Sequence, residues 1–253
     1  CLSARNKNRN SGFKINNKQW VKNYLDVTKK KEVDLIIELI GGSEGPAKKL
    51  VFNALKNKKH VVTANKALIS NYGDQLSKIA EKNRVNLEFE AAVCGGVPII
   101  RSLKESLIAN KINKVYGIFN GTSNYILSLM DKENKSFNEV LIKAQKLGYA
   151  ESNPTSDLSG EDVAAKLKIL SSLCFNSFLN KNIHVEGIKD IDKDDIKYAK
   201  NLGYKIKLLG YAERIGKNIF QRVHPTLIRD SSYVGSIDGV LNAVIIDGNP
   251  VGA

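Results

Sequence analysis

The sequence predicts an α/β protein whose first part is a partial doubly wound parallel sheet and whose second part is an α+β domain. Apolar, strand-like runs alternate with helix-like segments over residues 33–90. The order strand, helix, strand, helix, strand favours parallel strands joined by right-handed crossovers. Near residue 92 this alternation ends, and the last strand-like runs are separated only by short turns. We therefore expect domains at 1–92 and 93–253, the second with an antiparallel sheet.

The first domain is predicted from five consecutive elements. Residues 33–40 form an apolar run interrupted by Asp34 and Glu38, which is typical of a strand covered on both faces. Residues 46–57 predict a helix, since Pro46 fits a first helical turn without losing a hydrogen bond. A strand at 60–64, a helix at 72–83 and a strand at 86–90 complete the series.

The second domain is predicted to begin with a glycine-rich bend at 93–98. Its helices are expected at 99–109, 123–130, 137–147 and 160–175, and its strands at 114–119, 204–215, 219–228 and 241–246. The helix at 160–175 is the best defined, because apolar side chains recur along one face. That face carries Val163, Leu167, Leu170 and Cys174.

Composition narrows the class of protein. The chain has 253 residues, of which 42% are hydrophobic, but no apolar run of about 18 residues that could span a membrane. Its three cysteines, Cys1, Cys94 and Cys174, follow no metal or disulfide pattern and favour a reducing, cytoplasmic compartment. The formal net charge is +13, yet the lysines are not interleaved with aromatic residues. We therefore expect neither a membrane partner nor a nucleic-acid partner.

Polar residues concentrate in residues 144–166, where a turn rich in Gly, Pro and Ser opens a helix. Asp162 and Lys166 lie four residues apart on that helix, so their side chains meet on one face. Alone, they predict a surface ion pair worth roughly a few tenths of a kcal/mol. The nearby carboxylates of Glu151 and Asp157 are harder to explain by packing. The whole set could hold an amine-bearing substrate and offer a cation to a carbonyl.

Three other polar features lie where strands are predicted to end. Lys66 follows a short strand, at the edge where open α/β sheets bind ligands. Gly41 and Gly42 follow the run at 33–40, although a Gly-Gly pair also suits any left-handed turn. Gly121 and Thr122 open a helix and could offer backbone N–H groups and a hydroxyl to a ligand. A solvated lysine and a helix-capping threonine are the simpler alternatives.

The residues of the 144–166 segment resemble the homoserine dehydrogenase signature. The matching positions are Gly148-Tyr149-Ala150-Glu151, Asn153-Pro154, Asp157-Leu158, Gly160, Asp162 and Lys166. Asn153 stands where many members carry Asp. Similar segments occur at 61–67, 90–93 and 117–122, and the similarity weakens beyond residue 180.

This resemblance implies an NAD(P)-dependent oxidoreductase that interconverts L-aspartate 4-semialdehyde and L-homoserine in threonine, methionine and isoleucine biosynthesis. It also implies a Rossmann-type domain, a catalytic and dimerisation domain, and a homodimer. Lys166 would be the catalytic acid/base, and Lys66 would reach both cofactor and substrate. Glu151 and Asp157 would hold the substrate ammonium group, and Asp162 would orient Lys166.

The resemblance assigns further residues to substrate and cofactor. Thr122 and Gly121 would contact substrate or cofactor, and Gly41 and Gly42 would run beside the nicotinamide. Arg5, with Arg9 nearby, favours NADP over NAD, because an arginine can pair with a 2′-phosphate.

A monovalent cation, most simply Na⁺, is implied for residues 90–97. The Glu90 carboxylate would bind it together with the carbonyl oxygens of Val93, Gly95 and Val97, and oxygen ligands suit hard cations. From the residues alone, this glycine-rich stretch is an ordinary domain hinge. Cys94, where the family more often has Ala, is expected to be a packed residue.

The ends of the chain lead us to expect an internal piece of a longer protein. Residues 1–32 lack the G-x-G-x-x-G phosphate loop of the family, and the chain stops at Ala253. Residues 1–4 are expected to be the end of the second sheet strand, and such a piece should bind cofactor poorly.

Three alternative functions stay open. The protein could be a dehydrogenase of another amino-acid semialdehyde or of a 2-substituted acid. It could be a non-catalytic nucleotide-binding or dimerisation module, as the missing glycine loop suggests. A basic nucleic-acid binder is the third alternative. Retention of both Lys66 and Lys166 with the acidic set favours an enzyme.

Overall fold

The computed structural model describes residues 1–6, 19–176 and 183–250. The chain divides into two compact units, Cys1–Ala92 and Val93–Ala253. The first unit contains β1 (Leu35–Glu38), α1 (Pro46–Lys56), β2 (His60–Thr63), α2 (Lys66–Asn83) and β3 (Leu87–Glu88). The three strands are parallel, in the order β1-β2-β3, with Leu35 opposite His60 and Val61 opposite Leu87. The predicted partial doubly wound sheet is confirmed.

Two details of the first unit differ from prediction. Helix α2 begins at Lys66 rather than near residue 72, because Asn65 caps it and accepts a hydrogen bond from the Leu68 N–H. Strand β1 is covered on one face only: Leu35 and Ile37 are 48% and 62% exposed, whereas Ile36 is buried. The expectation of two covered faces was therefore wrong for this strand.

The described part of the N-terminal segment forms a bridge rather than a strand. Leu2 forms an isolated parallel bridge with Trp20, so residues 1–4 do not extend the β1-β2-β3 sheet as a full strand. A 3₁₀ turn at Tyr24–Lys29 and another at Glu90–Ala92 precede and follow the sheet. The 3₁₀ turn at Glu90–Ala92 closes the first unit.

The second unit is built around a mixed five-stranded sheet. Its elements are α3 (Ile99–Arg101), β4 (Lys111–Ile118), α4 (Gly121–Glu133), α5 (Phe137–Lys146), α6 (Thr155–Leu158), α7 (Glu161–Phe175), β5 (His184–Val185), α8 (Lys193–Asn201), β6 (Tyr204–Ile215), β7 (Asn218–Arg229) and β8 (Ala243–Asn249). The strand order is β5-β7-β6-β4-β8. All neighbours are antiparallel except β5 and β7, which pair in parallel. The purely antiparallel sheet that we expected is thus corrected by one short strand.

Helix α7 packs on β4 and β6 through its predicted apolar face. Val163, Leu167 and Leu170 are fully buried, and Cys174 is 7% exposed. Burying an aliphatic side chain of this size contributes about 2 kcal/mol. This packing fixes the helix that carries Asp162 and Lys166.

The helix expected at 99–109 is broken in the structure. It consists of the short α3 followed by a π turn at Ser102–Ser106. Helix α8 was not predicted, because only Ile196 and Ala199 of its residues are buried and no apolar stripe is visible. Among the described residues, no helix has both the length and the apolar character needed to cross a bilayer.

Candidate active site

A lysine–carboxylate pair lies buried on α7. Lys166 Nζ is 2.7 Å from Asp162 Oδ2, and the two side chains are 15% and 4% exposed. The same Nζ donates to the carbonyl oxygen of Phe119 at 2.6 Å, just after β4. The simple alternative of an exposed surface pair does not hold. An ammonium group has three N–H donors, so these two acceptors leave one donor for a ligand.

Asn120 connects the pair to a second carboxylate. Its Nδ2 donates to Asp162 Oδ2 at 2.9 Å and to Asp157 Oδ1 at 2.7 Å. Its Oδ1 accepts from the Ser123 N–H at 2.8 Å and thereby caps α4. Asn120 itself is 4% exposed. The structure thus brings Asp157, Asp162 and Lys166 together through a residue that the sequence pattern did not single out.

The other predicted substrate contacts lie around the turn before α6. Thr122 Oγ1 donates to the carbonyl of Tyr149 at 2.8 Å, and the rings of Tyr125 and Tyr149 are 4.7 Å apart. These contacts hold the turn against the first two turns of α4. Glu151 is exposed in this turn, and its backbone carbonyl accepts from Gln145 Nε2 at 3.2 Å. The Glu151 carboxylate is therefore accessible to a ligand.

Gly121 is the first residue of α4 and lies against the loop before β8. A Cβ at this position would be 2.6 Å from the carbonyl oxygen of Val240, so a side chain does not fit. Asn124 fastens the same loop to α4, because its Nδ2 donates to the carbonyls of Ile237 at 3.2 Å and Leu241 at 3.1 Å. Gly121 therefore keeps the backbone of the loop close to the helix start.

Lys207 on β6 hydrogen-bonds to the same loop, a contact that the sequence did not predict. It is 1% exposed, and its Nζ donates to the Ile237 carbonyl at 2.7 Å and to Asp238 Oδ1 at 2.8 Å. Burial lowers the pKa of Lys207, and the hydrogen bond to Asp238 opposes that shift. In the sequence it is one lysine among many, and only its position in a buried strand could have indicated this role.

Cys94 lies within electrostatic reach of the lysine–carboxylate pair. It is 1% exposed, and burial raises the pKa of its thiol to about 11, with Lys166 opposing the shift and Asp162 adding to it. A thiol with such a pKa is neutral near pH 7 and is a poor nucleophile. The expectation of a packed residue is confirmed.

A second polar network lies at the ends of β1 and β2 in the first unit. Glu38 is fully buried, and its Oε1 accepts from the N–H groups of Ile40 at 2.6 Å and Gly41 at 2.9 Å. Its Oε2 accepts from the Thr63 hydroxyl at 2.6 Å. A buried carboxylate needs such donors. In the sequence, Glu38 was visible only as a charge interrupting an apolar strand.

Asn65 links this network to the Gly41-Gly42 loop and to α2. Its Nδ2 donates to the carbonyl of Gly42 at 2.7 Å, while its Oδ1 caps the helix that starts at Lys66. Gly41 and Gly42 have φ of +82° and +80°, the left-handed region that favours glycine. Both glycines are exposed, and Lys66, which follows Asn65, is half-buried. The Asn65 side chain therefore holds the loop on its inner side, and the outer side of the loop is exposed to solvent.

The remaining predicted residues are Arg5 and those of the proposed cation site at 90–97. Arg5 is exposed, and Arg9 lies outside the described residues. Glu90 opens a 3₁₀ turn at the end of the first unit, and Val93 opens the second unit. The Val97 carbonyl accepts from the Ile99 N–H at 2.8 Å.

No cluster of three or more His, Cys, Asp or Glu side chains suited to a metal occurs within 1–6, 19–176 and 183–250. A cation site in residues 90–97 would consequently rely on carbonyl oxygens. Gly95 is exposed, and Cys94 and Gly96, with φ of +48° and +86°, turn the chain sharply there. Carboxylate and carbonyl oxygens are a donor set that fits a hard monovalent cation.

The architecture is that of a two-domain dehydrogenase, with a parallel α/β unit followed by a unit that contains a buried lysine–aspartate pair. Residues 2–90 match the family profile described as "Homoserine dehydrogenase, NAD binding domain", and residues 98–253 match the profile "Homoserine dehydrogenase". The chain belongs to the homoserine dehydrogenase family.

Individual relatives agree with this assignment. Homoserine dehydrogenase of Neisseria gonorrhoeae is 48% identical over 92% of this chain and 54% of its own length, and that of Bacillus subtilis is 45% identical over 90% and 52%. The crystal structure of a homoserine dehydrogenase from Thiobacillus denitrificans superposes with a TM-score of 0.88 at 47% identity, covering 92% of this chain and 54% of that one. The chain thus spans about half the length of the curated relatives it matches.

A more distant structure supports the fold alone. A hyperthermophilic archaeal homoserine dehydrogenase in complex with NADPH has a TM-score of 0.76 at 24% identity, covering 91% of this chain and 67% of that one.

Proposed function

We propose that the full-length protein reduces L-aspartate 4-semialdehyde to L-homoserine, reversibly, with a nicotinamide cofactor. The observation that carries the proposal is the buried Lys166, aimed by Asp162 Oδ2 at 2.7 Å and by the Phe119 carbonyl at 2.6 Å. Family membership and the matched NAD-binding profile support it. Biosynthesis of threonine, methionine and isoleucine is the pathway that this reaction serves by resemblance.

The proposed proton donor is Lys166. A bound nicotinamide would supply the hydride to the carbonyl carbon. As negative charge develops on the carbonyl oxygen, the remaining N–H of Lys166 donates to it, because the other two are held by Asp162 and Phe119. In the reverse direction the same nitrogen accepts the proton of the homoserine hydroxyl.

The substrate ammonium group is proposed to bind Asp157 and Glu151. One Asp157 oxygen accepts from Asn120, and the other can accept from an ammonium group. Glu151 is exposed in the same turn. The hydroxyl of Thr122 and the backbone of Gly121, at the start of α4, would also contact substrate or cofactor.

The nicotinamide is proposed to lie beside Gly41 and Gly42, with Lys66 at the start of α2 in contact with it. The exposed outer side of the glycine loop supports this, since within the part of the chain that the structure describes no atom beyond the neighbouring residues lies within 4 Å of a Cβ built on Gly41. Exposed Arg5 supports NADP as the preferred cofactor, with NAD as the alternative. Arg5→Ala should weaken NADPH binding more than NADH binding in fluorescence titrations, and equal losses would remove Arg5 from this role.

Na⁺ is proposed as a bound cation, held by the Glu90 carboxylate and the carbonyls of Val93, Gly95 and Val97. The oxygen donor set and the sharp turn at Gly96 support it. Replacing NaCl by tetramethylammonium chloride should lower the activity of the wild type but not that of Glu90→Ala. An unchanged cation response in the variant would contradict the site.

A homodimer in the cytoplasm is the proposed state of the full-length protein. Large apolar side chains on β6 and β7 support a partner surface, since Ile215, Phe220 and Leu227 are 60%, 47% and 55% exposed. The three free cysteines support a reducing compartment.

The test of the proposed reaction is substrate discrimination by the full-length protein. NADPH oxidation should be at least about 100-fold more efficient with L-aspartate 4-semialdehyde than with succinate semialdehyde, which lacks the amine. Asp157→Asn should reduce that ratio. Equal efficiency for both aldehydes would contradict ammonium recognition and favour another semialdehyde, while a folded protein inactive on both would favour a non-catalytic module.

A further inference from the structure

We propose that Asn120 is a positioning residue of the reaction, holding the carboxylate that meets the substrate and the carboxylate that aims the lysine at one fixed spacing. The inference rests on the proposed function and adds to it a residue with no assigned role. Its Nδ2 lies 2.7 Å from Asp157 Oδ1 and 2.9 Å from Asp162 Oδ2. One N–H of the amide thus goes to each carboxylate.

The orientation of the Asn120 amide follows from its three partners. The Ser123 N–H can only donate, so the atom 2.8 Å from it must be the amide oxygen. The two carboxylates can only accept when ionised, so the atom facing them must be the nitrogen. A flipped amide would lose all three hydrogen bonds.

The bridge has an electrostatic purpose. Asp157 on α6 and Asp162 on α7 accept from one atom, so two carboxylates face each other across Asn120. Lys166 compensates Asp162 at 2.7 Å, whereas Asp157 is held by the Asn120 amide at 2.7 Å. Asn120 therefore keeps Asp157 oriented while Asp162 is paired with Lys166.

The test separates this bridging role from helix capping. Asn120→Asp keeps an oxygen that can cap α4, since Asp and Asn are comparable at this position, but it replaces the bridging nitrogen by a third carboxylate oxygen. Asn120→Ser also retains a capping oxygen and removes the bridge without adding charge. Both variants are made in the full-length protein and compared with wild type.

The measurement is kcat/KM for L-aspartate 4-semialdehyde between pH 6 and pH 9, with thermal unfolding alongside. The groups that face position 120 are Asp157 on α6 and Asp162 with Lys166 on α7, with Cys94 close to the latter two. Three carboxylates in contact oppose one another's ionisation, so the trio takes up a proton as the pH falls. In Asn120→Asp we expect a loss of about 100-fold at pH 8 that is partly recovered as the pH falls, because the bound proton restores a bridging donor. In Asn120→Ser we expect a loss of about 10-fold with the wild-type pH profile.

Two results would overturn the inference. One is a wild-type kcat/KM and pH profile in Asn120→Asp. The other is a loss of activity in Asn120→Asp that parallels a loss of thermal stability and leaves the shape of the pH profile unchanged, together with full activity in a folded Asn120→Ser. An inactive, folded wild type would instead defeat the proposed function, and the role of Asn120 in that reaction would fall with it.

Discussion

The β2–α2 connection of the first unit and the β4–α4 connection of the second have a similar construction, but their polar side chains have different hydrogen-bond partners. Each has an asparagine just after the strand, Asn65 or Asn120, whose Oδ1 caps the helix and whose Nδ2 donates elsewhere. Each also lies beside a buried carboxylate from another element, Glu38 at the end of β1 or Asp162 on α7.

The partners of these groups make the difference. Glu38 accepts from two backbone N–H groups and the Thr63 hydroxyl, and Asn65 donates to a backbone carbonyl. Asp162 instead accepts from the Lys166 ammonium group and from Asn120. The first network fixes the shape of a loop, and the second fixes the position of a charge. The same residue types therefore hold backbone in place in the first unit and hold a charged side chain in the second.

The largest effect on folding is expected from Glu38→Ala. The substitution leaves the N–H groups of Ile40 and Gly41 and the hydroxyl of Thr63 without their buried acceptor. We expect the free energy of unfolding of the first unit to fall by about 3 kcal/mol in urea titrations. Glu32→Ala is the matched control, because that carboxylate is 65% exposed. A midpoint equal to that of the control would show that Glu38 does not organise the loop.

A smaller and more selective effect is expected from Asn65→Asp. The new carboxylate can still cap α2 but cannot donate to the Gly42 carbonyl, so the glycine loop loses its inner contact. We expect KM for NADPH to rise about 10-fold, which corresponds to roughly 1.4 kcal/mol, with little change in kcat. The contrast is with Asn120→Asp, which should act on the semialdehyde. A fall in kcat with unchanged KM for NADPH would contradict the claim that Asn65 and Asn120 act on different ligands.

The smallest effect is expected from Cys94→Ala. Burial raises the pKa of this thiol to about 11, so unfolding releases its proton only between about pH 8.5 and about pH 11, and the stability that the thiol contributes declines as the pH rises through that range. We therefore expect kcat at pH 8 to stay within about 2-fold of wild type, since a neutral thiol takes no part in the chemistry. In the wild type, iodoacetamide should modify exposed Cys1 well before Cys94 or Cys174. A loss of turnover above about 10-fold would bring Cys94 into the reaction.

Regular elements with a strong apolar pattern could be predicted from the sequence. Strand β6 was predicted with its observed bounds, Tyr204–Ile215, and the apolar face of α7 was predicted residue by residue. Helix α8 was missed because it is held by the Asp192 cap and only two buried side chains. The start of α2 was missed because Asn65 acts as a cap in a segment that also matches a functional motif.

The candidate site could be predicted in its members but not in its connections. The contact between Asp162 and Lys166 follows from helical spacing, whereas the partners of Lys166 and Asn120 across the fold do not. Phe119 contributes a backbone oxygen, which no side-chain pattern can reveal. Asn120 and Asp162 are far apart in sequence and meet only because α7 packs on β4. Such contacts depend on tertiary packing, which local spacing does not encode.

The central claim is that Lys166 is the proton donor, and its most direct test is the turnover of Lys166→Ala beside Lys168→Ala in the full-length protein. Both lysines lie on α7, so the two variants share the same helix and the same loss of charge. With NADPH and L-aspartate 4-semialdehyde, kcat should fall by about 1,000-fold in Lys166→Ala and stay near wild type in Lys168→Ala. Comparable turnover in the two variants, both folded, would contradict the assignment of Lys166.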